Sequence, residues 1–234
     1  MFLKTAKYYD RIYAFKDYHR ESTRLLEIIQ EETGNNALRL LDVACGSGKH
    51  LQHLQEHFQV EGLDLDEVLL EVARERLPGI PLHHGNMIKF DLGKKYDVIT
   101  CLFSAIGYVK TLENLQLTLI CMQRHLSPGG LFLVEPWFTP EMWHPGTLHG
   151  LFIDDPDLKI TRMNLSEVDG RISRMEMHYL IGTPQGVEHY VERHELGLFT
   201  QAEMLREIRK AGFLVRYDEP GLTGRGLYIC RKPA

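Results

Sequence analysis

The chain has 234 residues, enough for one domain with a full core and room for an embedded subdomain. Hydrophobic residues make up 44% and charged residues 25%, the balance of an ordinary globular protein rather than a disordered or fibrous one. A formal net charge of -5, with Lys and Arg scattered and no basic block, argues against nucleic acid as a partner.

In chain order, residues 17–32 read as a helix, with Asp17 as its cap and Leu25, Leu26, Ile28 and Ile29 at helical spacing. "ALRLLDVAC" reads as a short buried strand, and residues 48–57 as a helix with Leu51, Leu54 and Phe58 on one face. "VEGLDLD" is a second strand, and "DEVLLEVARERL" a helix started by Asp66 and stopped at Pro78-Gly79. "PLHHGNM" is a weak third strand and "YDVITCLF" a strong fourth, followed by a helix over 111–126 and a fifth strand in "GGLFLVEPW". This alternation predicts an α/β, doubly wound, mostly parallel sheet. After Trp137 the residues alternate in character. Asp169-Gly170 and Thr183-Pro184-Gln185-Gly186 are turn signals, so an inserted three-stranded antiparallel sheet is expected over about 138–198. "TQAEMLREIRKAG" is a helix capped by Thr200 and ended by Gly212, and "FLVRYDE" with "GRGLYICRK" reads as a closing antiparallel pair.

The start, with Lys4 and Lys7 ahead of Tyr9-Asp10-Arg11, does not read as a signal peptide, and no apolar run approaches the ~20 residues of a membrane span. Cys45, Cys101, Cys121 and Cys230 include no CxxC pair and sit mostly in apolar runs, as buried free thiols would. A cytoplasmic protein with no membrane partner is expected.

The first strand runs into "LLDVACGSGKH", where Gly46 and Gly48 leave backbone bare for a ligand at a helix N-terminus. A P-loop needs GxxxxGK[ST], but His50 follows Lys49 and the upstream glycine is missing; a dinucleotide site needs GxGxxG, but Leu51 holds the third position. A nucleoside without phosphates remains. Asp64, 22 residues after Asp42 at the end of the second strand, suits the two hydroxyls of a ribose. An NAD enzyme would use the same device, and a mere helix cap is the structural alternative, although Asp66 is better placed for that.

"LLDVACGSGKHL", "VEGLDLD", "HHGNM" and "CLFSAIGYV" resemble the successive cofactor motifs of class I S-adenosylmethionine (SAM)-dependent methyltransferases, over nearly the whole chain. The resemblance implies a Rossmann-like seven-stranded sheet whose last strand is antiparallel, in a single methyltransferase domain over 1–234. It places Ala44 and Gly46 against the methionine part of SAM, Asp64 on the ribose, Asn86 and Met87 at the adenine edge, and Leu102 nearby. Where the class usually has Asp, Asn86 keeps an accepting carbonyl oxygen and loses the charge.

Within the class, "YYDRIYAFKDYHRES", "FSAIGYVKT", "VEPWFTPE", "MHYL" and "GRGLY" are most similar to N,N-dimethyltransferases acting on dTDP-linked amino sugars. The similarity implies an N-terminal lid over about 1–36 carrying Tyr9 and Tyr18, and a substrate side at Tyr108, Trp137 and Arg225, whose guanidinium suits a sugar-nucleotide phosphate. Here only Ala14-Phe15 separates Tyr13 from Lys16, where the relatives carry a glycine-containing loop, so lid and acceptor pocket are expected to differ.

The residues also admit plainer readings: Tyr9, Tyr13 and Tyr18 as helix-entry packing, Trp137 as core, Arg225 as a surface turn. His50, His53 and His57 share a helix flank and read as solvated polar residues rather than metal ligands; no metal is called for. His178, His189 and His194 sit on strands and could each supply a base, and Glu135 could touch the acceptor or pair with local backbone. The expected reaction is methyl transfer to a small molecule, at nitrogen because no compelling general base is visible. The rivals are N,N-dimethylation of a nucleotide-linked amino sugar specifically, a SAM-binding module without turnover, and an NAD(P) oxidoreductase. Tyr108 would orient the acceptor, and the product of the cofactor would be S-adenosylhomocysteine. The inserted sheet could also pair two subunits into a homodimer.

Overall fold

The computed structural model describes residues 5–34 and 36–234; residues 1–4 and 35, which include Lys4 and part of the expected lid, lie outside the described residues. After one 3-10 turn at Ala6–Tyr8 come α1 (Tyr9–Ile12) and α2 (Tyr18–Thr33). Asp17 caps α2 as expected, its carboxylate accepting the Arg20 N–H at 2.9 Å. Gly34 ends the helix with φ 61°, a left-handed conformation that glycine adopts without a Cβ clash.

The strand–helix alternation follows: β1 (Arg39–Val43), α3 (Lys49–Leu54), β2 (Gln59–Asp64), α4 (Glu67–Arg76), β3 (Leu82–His84), β4 (Tyr96–Cys101), α5 (Leu112–His125) and β5 (Leu126–Val134). Then come β6 (Leu148–Asp155), β7 (Leu158–Asp169), β8 (Ile172–Thr183) and β9 (Gly186–Gly197), before α6 (Gln201–Lys210), β10 (Leu214–Asp218) and β11 (Leu227–Arg231). Seven strands form one sheet in the order β10-β11-β5-β4-β1-β2-β3. Within it β11 runs antiparallel to both neighbours, and the other pairings are parallel. Apolar side chains cover both faces of this sheet, as parallel strands require.

The inserted sheet has four strands, β6-β7-β8-β9, not three. The additional strand, β6, joins β7 through the two-residue loop Pro156-Asp157. It is an edge strand with no fully buried residue, and His149, Gly150 and Asp154-Asp155 dilute the period-two pattern that marks a half-buried strand. The two expected turns do connect β7 to β8 and β8 to β9.

Leu51, which stands where a dinucleotide site has its third glycine, is fully buried. The close approach is made from the opposite side: a Cβ on Gly62 of β2 would lie 2.9 Å from Leu51 Cδ1 and 2.7 Å from Cys45 Sγ. Gly48 serves the neighbouring contact, since its φ is 76° and a Cβ there would lie 2.7 Å from Leu77 Cδ1.

His50 is not part of a solvated flank. It is buried, and its Nε2 lies 2.8 Å from Glu21 Oε2 across the α2–α3 contact. Lys16 Nζ reaches the same carboxylate at 2.6 Å. Helical spacing put the three histidines on one flank, but α2 packs directly over the first of them, while His53 meets His19 edge-on at 5.5 Å. Burial pushes the Glu21 carboxyl up, but the hydrogen bonds from His50 and Lys16 outweigh it and hold Glu21 below its ordinary 4.5. As pH falls below about 4.5 the unfolded chain binds this proton first. The stabilisation from Glu21 is therefore complete at neutral pH and is lost as pH falls through its depressed folded value. Denaturant melts should show Glu21→Gln costing about 3 kcal/mol at pH 7, with the wild-type advantage shrinking steadily toward pH 3.

Candidate active site

One cavity of about 850 Å³ lies between the C-terminal ends of β1, β2 and β4, the N-terminal helices and the inserted sheet. Ligand pockets commonly run to about 300–1,000 Å³, so this one lies toward the upper end of that range. All eleven residues expected at the site, Tyr9, Tyr18, Ala44, Gly46, Asp64, Asn86, Met87, Leu102, Tyr108, Trp137 and Arg225, line it.

The floor is the turn after β1. Ala44, Gly46 and Gly48 all have left-handed backbones, with φ of 60°, 56° and 76°. A Cβ on Gly46 would meet no protein atom within 4 Å, so the bare backbone there fronts open space for a ligand. Asp64 at the end of β2 ties the turn down: Oδ2 accepts the Gly46 N–H at 2.7 Å and Oδ1 accepts the Asp66 N–H at 2.8 Å. Each oxygen keeps a second lone pair for a ligand hydroxyl. Burial raises the Asp64 carboxyl above its ordinary range, opposed by the N–H groups of Asp66 and Gly46. Asp66 performs the capping, accepting from Val68 and Leu69 N–H at 3.1 and 3.3 Å.

Further along the rim, Asn86 Oδ1 accepts the Ile88 N–H at 2.9 Å, so the carbonyl expected to face a ligand amino group also holds its own turn. Met87 packs on the core, and Leu102 is buried at the end of β4.

The N-terminal segment closes one side. Asp10 binds it to the glycine turn: Ser47 Oγ donates to Asp10 Oδ1 at 2.8 Å, Arg76 bridges Asp10 and the Ser47 carbonyl, and Lys49 Nζ stands 3.6 Å away. Tyr18 packs edge-on against His50 at 4.9 Å, and Tyr9 stacks obliquely on Tyr13 at 4.6 Å. Burial raises the Tyr9 and Tyr18 phenols well above their ordinary value, so both stay protonated.

On the other side, Phe103 and Ser104 form a left-handed pair, φ 51° and 62°, unusual for residues with a Cβ. Glu135 supports them from beneath, Oε2 accepting the Phe103 N–H at 2.6 Å and Oε1 the Thr223 hydroxyl at 2.5 Å. Of the two roles open to Glu135, the structure places it on local backbone. Arg225 Nη1 donates to Ser104 Oγ at 2.8 Å, and its guanidinium lies 5.2–5.9 Å from the rings of Phe103, Trp137 and Phe138. Trp137 donates its indole N–H to Ser173 Oγ at 2.9 Å and shows the cavity its ring.

Tyr108 presents 40% of its surface, toward the cavity rather than the outside. Burial raises its phenol far above the ordinary value, so it stays protonated. Of the three strand histidines, only His194 lines the cavity; His178 and His189 stack on each other at 5.5 Å on the outer face.

Sequence reasoning missed Arg162 and Asn164 on β7, and Met175 and Met177 on β8, all of them cavity-lining. The available signal was the alternation of Arg162, Asn164 and Ser166 along β7. Whether that polar set faced inward was not readable from the strand alone. Among the described residues, no group of three or more His, Cys, Asp or Glu is arranged to hold a metal, and no helix is long and apolar enough to cross a membrane.

The sheet order, the glycine turn and the carboxylate closing β2 define a class I SAM-dependent methyltransferase. A family model described as a methyltransferase domain matches residues 40–130. The chain is 38% identical over 227 residues to the dTDP-3-amino-3,6-dideoxy-alpha-D-glucopyranose N,N-dimethyltransferase of Streptomyces fradiae, covering 95% of this chain and 89% of that one. The crystal structure of Streptomyces venezuelae DesVI superposes with a TM-score of 0.92 at 38% identity, covering 99% of each chain. The SAM-bound amino pentose methyltransferase of calicheamicin biosynthesis from Micromonospora echinaspora gives 0.87 at 35% identity, covering 99% and 98%. The chain belongs to this family of SAM-dependent sugar N-methyltransferases, and the dinucleotide reading of the glycine turn is set aside.

Bare backbone at Gly46, an acceptor carboxylate at Asp64 and apolar walls at Leu69 and Met87 suit the three parts of SAM. Asp64→Asn puts an amide N–H₂ where the Gly46 and Asp66 N–H groups need acceptors. Calorimetry with S-adenosylhomocysteine should show at least a ~30-fold loss of affinity, about 2 kcal/mol.

Proposed function

We propose that this enzyme methylates the amino nitrogen of a sugar carried on a nucleoside diphosphate. The observation that carries the reading is a pair of guanidiniums without carboxylate partners among the described residues. Arg162 and Arg225 both line the acceptor half of the cavity, and neither forms an ion pair with any described residue. Arg162 Nε is buried with no hydrogen-bond partner among the described residues, and its guanidinium stands 5.7 Å from the Tyr13 ring. Tyr13 in turn meets Phe103 edge-on at 5.3 Å, and Phe103 is one of the rings under Arg225. Two cations flanking one aromatic pair suit a diphosphate, whose oxygens accept forked hydrogen bonds from guanidinium. The relatives' named substrates are dTDP-linked amino sugars, and the rings of Trp137, Phe138 and Trp143 offer apolar faces for such a ligand.

SAM supplies a methyl group on a sulfonium whose leaving group is a neutral thioether. The protein's task is therefore to position, to exclude water and to manage one proton. Gly46 and Asp64 hold the donor side; Tyr9, Tyr18 and the Asp10 clamp make residues 5–34 a lid; Trp137 and Arg225 hold the acceptor; and Tyr108 orients the amine from between the two halves. The four buried free cysteines suit a reducing compartment.

Mass spectrometry should detect mono- and dimethylated dTDP-3-amino-3,6-dideoxyglucose after incubation with SAM. Arg225→Ala and Arg162→Ala should each raise acceptor KM about tenfold or more, leaving kcat within a few-fold. No methylation of any dTDP-amino sugar would refute the reading.

The outward face of the inserted sheet carries Leu148, Phe152, Met163, Leu165, Leu180 and Val191, each at least 42% exposed. They are interspersed with Glu176, His178, His189 and Arg193 on the same face, and this many exposed large apolar side chains on one sheet face is uncommon on a monomer. A second copy of the chain, meeting it face to face about a two-fold axis, is the occupant this reading assigns. Solution scattering should give a dimer mass, reduced to the monomer by Phe152→Glu with Leu180→Glu; a monomeric wild type would overturn the assignment.

A further inference from the structure

We infer that Tyr108, His194 and Glu192 form a proton relay leading out of the acceptor pocket, with His194 as the positioning residue that takes the proton through Tyr108. The inference rests on the reading that an amine is methylated in this cavity.

Tyr108 belongs to the 3-10 turn Ala105–Val109 that follows β4, and His194 and Glu192 are on the inward face of β9. Tyr108 Oη lies 2.8 Å from His194 Nδ1. On the far side of the ring, His194 Nε2 faces Glu192 Oε2 at 3.9 Å. Both Glu192 oxygens lie 2.8 Å from the Thr5 hydroxyl, and Oε1 also accepts the Thr5 N–H at 3.3 Å. His194, Glu192 and Thr5 are all at most 6% exposed, and Met175 and Met177 stand opposite His194 and Glu192 on β8.

Direction follows from donors and acceptors. Burial pushes Glu192 up, but the nearby His194 ring and the hydrogen bonds from Thr5 prevail and hold it below its ordinary 4.5. A carboxylate only accepts, so the imidazole nitrogen facing it carries the hydrogen, at Nε2. Nδ1 then has a free lone pair, and the Tyr108 O–H donates to it. The phenol oxygen is left as an acceptor toward the cavity, where an amine N–H donates to it and the nitrogen's own lone pair is turned away from Tyr108.

Forming the N–C bond, with the C–S electron pair leaving on sulfur, converts the amine to an ammonium. Its proton passes to Tyr108 Oη as the phenol proton passes to His194 Nδ1. Tyr108 ends neutral, the imidazolium faces the Glu192 carboxylate, and the product amine is neutral. A second methylation of the same nitrogen needs that lone pair restored, so proton removal within the pocket serves dimethylation directly. After product leaves, the proton returns by the same path to solvent.

Nitrogen-15 NMR on the histidine-labelled protein tests the relay without any acceptor. His194 should show a protonated Nε2 and an unprotonated Nδ1, and the Nδ1 resonance should shift in Tyr108→Phe. A hydrogen on Nδ1 would overturn the proposal. The kinetic arm uses His194→Asn, whose carbonyl oxygen can still accept from Tyr108 but cannot take up a proton. With dTDP-3-amino-3,6-dideoxyglucose, kcat should fall at least tenfold while acceptor KM and S-adenosylhomocysteine affinity stay within twofold. Wild-type kcat in that variant would also overturn the relay. If the wild type turns over no dTDP-amino sugar, the substrate reading fails, and the NMR result still decides the relay.

Discussion

The site hangs on one carboxylate. Asp64 ends β2 and takes the Gly46 N–H on one oxygen and the Asp66 N–H on the other. Through the first bond it fixes the left-handed turn after β1; through the second it sets the entry to α4, which Asp66 then caps. Everything above the floor is referenced to that turn. Ser47 carries Asp10 and with it the N-terminal segment, and Lys49 opens α3. Burial makes the carboxylate costly, and the N–H groups it accepts offset part of that cost. A ligand offering two more donors completes the satisfaction of a group already held away from water.

The acceptor side rests on a different device. Phe103 and Ser104 are held in a backbone conformation that residues with a Cβ seldom adopt, by Glu135 below and by the bond from Ser104 Oγ to the Pro136 carbonyl at 2.6 Å. That strained corner aims Phe103 at Tyr13 and gives the Arg225 guanidinium a hydrogen-bond partner in Ser104. Strain of this kind persists where surrounding contacts over-determine it, and the buried Glu135 supplies them. The inserted sheet then roofs the space. Along β7, beyond the buried Ile160, Arg162, Asn164 and Ser166 face in and are polar, while Met163 and Leu165 face out. Over this stretch the usual strand is inverted, and the inversion puts the Arg162 guanidinium in the cavity.

Much of this was legible beforehand for a definable reason. The glycines, Asp64 and the cap residues act within a few residues of their own position, so spacing alone shows them. Helix caps at Asp17, Asp66 and Thr200 fell where short-range hydrogen bonding required. β6 was not legible, because an edge strand buries little and needs no strict alternation. The burial of His50 was not legible either, since its partner Glu21 lies 29 residues away on a helix whose packing angle no local pattern encodes.

By itself, then, the sequence determined the alternating fold, the glycine turn with its carboxylate, and through motif resemblance the donor that binds there. Each follows from local hydrogen bonding or from a period in the apolar residues. Only the tertiary structure decided which histidine enters the cavity, which strand face turns inward, and that Arg162 and Arg225 share one pocket. Those outcomes depend on how the inserted sheet docks over the core, which brings residues far apart in sequence to either side of one pocket and is encoded by no single segment.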